Sequence, residues 1–171
     1  ATGPNINVTS SGKAVMSAEQ RVGAFAAIQK AQDNSGHLTQ NERDYIDALS
    51  QRYNGEPSTP RTPLDTSYAV AMEALKNKYP EDNDAASLFS EALMNTMPWN
   101  YWTDEGTPKP DTKKVLATLE SVLSINPDHP LAIHLYIHAV EASKTPERAE
   151  PYADRLGKLV PGSGHLVHMP S

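Results

Sequence analysis

Helix-start signals recur along this chain, and a sustained alternation of apolar and polar residues does not. Ser17-Ala18-Glu19-Gln20 is a capping box, in which the Ser oxygen and the Gln side chain each satisfy a free backbone N–H. Thr39-Gln40-Asn41-Glu42 is a second. Thr62-Pro63-Leu64-Asp65 places Pro at the first helical position, where its missing N–H costs nothing. Apolar residues follow each signal at helical spacing: Val22, Phe25, Ala26 and Ile28; Tyr45, Ile46, Ala48 and Leu49; Tyr68, Ala71, Met72 and Leu75. The same reading predicts seven helices, near 17–32, 40–53, 63–79, 83–97, 111–125, 130–143 and 146–159. The chain reads as one all-α domain.

Composition narrows the partners. Fifteen Lys and Arg face 21 Asp and Glu, a formal net charge of −6. That sign is wrong for a nucleic-acid binder, whose affinity comes from neutralising phosphates. No apolar run approaches the roughly 18 residues of a membrane span. The first residues, Ala1 to Asn5, show neither the basic nor the apolar region of a targeting segment. Cysteine is absent, which excludes disulfides, thiolate metal sites and a cysteine nucleophile. That absence is compatible with a periplasmic or extracellular location, which the reading favours over a cytoplasmic one.

The helices repeat. Pro127 and Pro161 stand 34 residues apart, each preceded by an apolar helix end. Pro80 lies 47 residues before Pro127, which is 34 plus the 13 residues of the insertion Pro98–Pro110. Ala132, Ala139, Ala149, Tyr152, Leu156 and Leu159 recur where a paired-helix repeat places its packing residues. The segment Asn126-Pro127-Asp128-His129-Pro130-Leu131-Ala132 resembles the junction of the tetratricopeptide repeat, two antiparallel helices per 34 residues. The likeness covers 80–161. GPNIN at 3–7, PWNYW at 98–102, YIHAVEAS at 136–143 and VPGSGHLVHMPS at 160–171 resemble segments of a group of bacterial tetratricopeptide proteins with no settled activity. By that comparison a repeat helix is cut at either end, and Gly164–His168 begins a helix that stops at Ser171. The resemblance implies a right-handed α-solenoid of antiparallel helix pairs that binds a peptide, a protein partner or a small ligand on its concave face. Open solenoid ends would also permit end-to-end self-association.

In this repeat the first helix of each pair lines the concave face. The resemblance therefore implies a groove lined by Asp84, Ser87, Glu91 and Met94 on one helix and by Leu131, His134, His138 and Glu141 on the next. His165 and His168 follow as the next repeat's counterparts of Leu131 and His134. Helical spacing agrees: Ala132, Leu135, Tyr136, Ala139 and Val140 form one apolar face, and His134 and His138 sit one turn apart away from it. Two imidazoles at i and i+4 suit a metal whose further ligands come from elsewhere. The third and fourth ligands could be His168, His165, Glu141 or Glu91; the set expected is His134, His138, His168 and Glu141, for a divalent transition metal such as zinc or copper. A metal-dependent hydrolase is the rival to a binding scaffold. The plain alternative is a set of groove polar residues that bind water or a partner's carboxylate. Trp99, Tyr101 and Trp102 in the insertion either cap the groove or plug the gap between helices. Phosphate-cradling glycine motifs and a G-x-S-x-G serine elbow are absent.

Overall fold

A computed structural model describes residues 16–169. Its eight α-helices are α1 (Ala18–Asp33), α2 (Gln40–Ser50), α3 (Arg61–Lys78), α4 (Asn83–Thr96), α5 (Pro110–Ile125), α6 (Pro130–Val140), α7 (Glu150–Leu159) and α8 (Gly164–His168). Short 3₁₀ turns occupy Ser35–His37 and Pro146–Ala149. No β-strand occurs among the described residues; Trp102 and Pro108 form an isolated bridge. The protein is all-helical. The motif at 3–7 lies outside the described residues.

Local chemistry sets the helix starts. Ser17 Oγ accepts from the Gln20 N–H at 3.2 Å, and Gln20 Oε1 accepts from the Ser17 N–H at 2.8 Å. Thr39 and Glu42 repeat the exchange at 3.3 and 2.8 Å. The Asp82 carboxylate accepts from the Ala85 N–H at 3.0 Å and opens α4. Two expected ends move. The helix expected over 40–53 stops at Ser50, and that expected over 130–143 stops at Val140. The helix expected over 146–159 splits, because Pro151 lies in the first turn of α7 and lacks the N–H that would bond back into the preceding turn. That preceding turn tightens into the 3₁₀ segment at Pro146–Ala149.

Each helix packs on its successor from α1 to α8, and α4 also packs on α6. The core runs through the middle of this series, with Met72, Phe89, Met94, Val115, Leu119, Leu123, Ile133, Val140 and Leu156 all fully buried. On α1 the expected apolar face is only partly covered: Ile28 is buried, while Val22 and Ala26 are exposed. The Pro-rich connection between α2 and α3 is tied down from α1. Arg21 Nη1 donates to the carbonyls of Pro57 and Thr59 at 2.9 and 2.7 Å. Gly55 adopts φ +73° under the Phe25 ring, where an added Cβ would stand 2.5 Å from Cδ1.

Candidate metal centre

The candidate site grows from α6. His129 caps this helix, its Nδ1 accepting from the Ala132 N–H at 3.2 Å and its Nε2 facing Asp84 at 3.2 Å. Pro130 follows in the first turn, where its fixed φ suits a helix. From this start His134 and His138 fall one turn apart, with ring centroids 4.8 Å apart and planes near perpendicular at 88°. The third ring comes from the first turn of α8. His165 stands 5.0 Å from His134 and 6.4 Å from His138, centroid to centroid. One donor atom from each of the three histidines lies within 4.8 Å of the others.

The hydrogen-bond pattern gives these rings a direction. His138 Nδ1 meets Glu141 Oε1 at 3.0 Å. A carboxylate oxygen accepts, so the neutral ring carries its proton on Nδ1 and its lone pair on Nε2. His138 is 6% exposed, and that Nε2 is buried with no hydrogen-bond partner. His134 Nδ1 is a second buried nitrogen without a partner. Each such atom costs about 1–3 kcal/mol if nothing binds it. Burial pushes the His134 pKa down to about 4, with the neighbouring His138 and His165 adding to the shift. The ring is therefore neutral at pH 7, the form a metal requires.

The histidine group differs from the expected ligand set in two places. His168 is not part of the group; His165 takes its place. An exact 34-residue offset pairs His134 with His168, whereas the residue that meets it comes 31 later. Three residues are about 4.5 Å along a helix axis, so α8 is staggered by nearly one turn relative to that pairing. Glu141 is not in the group either, but serves behind it as the carboxylate that orients His138.

The residues expected on α4 do not join the histidines. Met94 is fully buried in the core, and Ser87, also fully buried, donates to the Asn83 carbonyl at 2.8 Å. Neither presents surface to a ligand. Glu91 accepts from Asn95 at 2.7 Å and pairs with Arg52 at 3.4 Å. Asp84 is exposed beside His129, and Leu131 packs partly buried against the core.

The three aromatics of the insertion take different places. Trp102 Nε1–H donates to the Ala139 carbonyl at 2.8 Å, satisfying one of the last four carbonyls of α6, which lack intrahelical donors. Tyr101 is buried. Burial raises its hydroxyl pKa, the Trp99 backbone opposes that shift, and the Glu141 charge adds to it. Trp99 instead flanks the site: 40% exposed, it meets His138 edge-on at 5.3 Å and 88°. Its φ of +59° is a left-handed conformation that a bulky side chain rarely adopts. Strain of this kind costs about 1–3 kcal/mol and concentrates at functional sites. No sequence pattern announces it. A groove of about 550 Å³ between α2 and α3, walled in part by Val70, Ala71 and Ala74, contains none of these histidines.

Three imidazoles grouped in this way, two of which carry a buried, unpartnered nitrogen, can ligate a divalent transition metal. Donors on tetrahedral zinc stand about 3.3 Å apart, so the group must contract by up to about 1.5 Å from its 4.8 Å span. His165 is the exposed member of the group. Compared with known proteins, the chain matches no family model, no curated protein and no solved structure.

Proposed function

We propose that this protein is a tetratricopeptide-like helical scaffold that binds a divalent transition metal, zinc or copper, through His134, His138 and His165. The observation that carries the metal reading is the grouping of His134, His138 and His165, one donor atom from each within 4.8 Å of the others, together with a buried, unpartnered ring nitrogen on each of His134 and His138. The scaffold reading draws support from the succession of helices, each packed on the next, with α4 also meeting α6 two places on. A stack of helix pairs produces contacts of that order.

Calorimetry with Zn²⁺ and Cu²⁺ on the untagged protein tests the metal reading. Wild type should bind one ion, and His138→Ala should lose at least the 10–100-fold that an outer-shell partner alone is worth. Glu141→Gln should fall within that 10–100-fold range, because the amide no longer fixes the His138 tautomer as a carboxylate does. Equal, weak binding by wild type and His138→Ala would end the proposal.

A further inference from the structure

We propose that the metal held by the three histidines keeps one coordination position for a small anionic ligand, which enters from the His165 side. This rests on the metal-binding reading above and extends it to what the metal meets.

The donor count is the first argument. Every His, Asp and Glu of the sequence falls within the described residues, and cysteine is absent. Only three of these side chains form the group. Glu141 is engaged by His138 Nδ1, on the far side of the ring from the unpartnered Nε2. Structural zinc sites close with four protein ligands, whereas three leave a place for water or substrate.

Burial gives the direction of entry. His138 is buried, His134 partly so, and His165 exposed, so the group opens towards α8. Trp99 stands edge-on against His138 and covers part of the flank of that ring. Charge gives the ligand class. Three neutral imidazoles leave a divalent ion its full charge, and a metal ion is then the largest local charge in its site. One carboxylate, Glu141, is hydrogen-bonded to the ligand set. An excess of positive charge remains, and it favours hydroxide, a carboxylate or a comparable small anion over a neutral or cationic ligand.

Cobalt(II) substitution with azide as the probe reads this position directly. The cobalt-loaded protein should show intense visible bands of four-coordinate cobalt. Titration with azide should shift those bands and raise a near-ultraviolet azide-to-cobalt band that saturates at one azide per cobalt. His165→Ala, a change at an exposed position, should keep the helical circular dichroism and lose the intense bands. Intense bands that azide leaves unchanged at saturation would overturn the open position. They would mean that the protein fills the fourth place itself, with Met169, one turn beyond His165, the first residue to test. Absence of intense bands from the wild-type protein would refute the metal-binding reading on which the proposal stands.

Discussion

Acid should destabilise this protein through His134, by an amount that the structure sets. The folded-state pKa is about 4, against 6.5 for the ordinary side chain, a difference of about 2.5 units caused first by burial. Between these values the unfolded chain binds a proton at this position and the folded chain does not. Stability is therefore unaffected by His134 above pH 6.5, falls as pH drops from 6.5 to 4, and levels off below. At 1.36 kcal/mol per unit the full loss is about 3 kcal/mol, and no single proton can give a slope steeper than about 1.4 kcal/mol per pH unit. With a urea m-value of about 1–3 kcal/mol/M, the midpoint should fall by about 1–3 M. Other groups titrate in the same window, so the informative quantity is a difference. Urea unfolding of wild type and His134→Leu, both in chelator, should diverge in pH dependence between 6.5 and 4, with the variant the flatter. Parallel curves would refute the reasoning. They would show that His134 is as well solvated when folded as when unfolded.

Two further predictions concern the fold around the site. Leu135→Ala should cost about 2–5 kcal/mol by emptying a site that is 2% exposed, while His165→Ala should stay within about 0.5 kcal/mol without metal; thermal unfolding in chelator compares the two, and the reverse order would mean that Leu135 is not packed in the core or that His165 is. Gly55→Ala should cost about 2 kcal/mol or more, since a Cβ must both tolerate φ +73° and displace the Phe25 ring; an unchanged denaturation midpoint would show that α1 does not depend on this contact.

What was legible in the sequence was local. The Ser17 and Thr39 capping boxes mark their helices because the chemistry involves residues three apart, and it forms as written. The apolar face of α6 was equally plain, since Ala132, Leu135, Tyr136, Ala139 and Val140 are all buried. His134 and His138 could be paired because one helical turn separates them. The third ligand could not be fixed in the same way. Whether His165 or His168 meets them depends on how far α8 slides along its axis, and that is set by packing on α7. Met94 shows the same limit, because α4 is covered on more sides than a groove-lining helix would be. Pro151, by contrast, was readable. Its missing N–H marks the first turn of α7 as Pro130 marks that of α6, whereas Pro63, expected at the first helical position, is the third residue of α3, which begins at Arg61.

The histidine group is a poor arrangement for stability alone, and that bears on why it exists. His134 and His138 each bury a ring nitrogen without a partner, and Trp99 beside them holds a strained backbone. Apolar residues of similar size on α6 would avoid about 1–3 kcal/mol for each orphaned atom. The third ring sits on a helix of five residues, far short of the roughly 12–15 that make an isolated helix even marginal. Contacts must therefore hold α8 in place. On the metal reading proposed above, an ion shared by His134, His138 and His165 would offset two of these costs: it would satisfy the orphaned nitrogens, for which burial already keeps His134 neutral, and tie α8 to α6. At a free metal concentration 100 times Kd, linkage adds about 2.7 kcal/mol, comparable with what His134 forfeits on protonation. On that reading, residues that weaken the fold locally would recover the loss by binding. The fold would be better served without them.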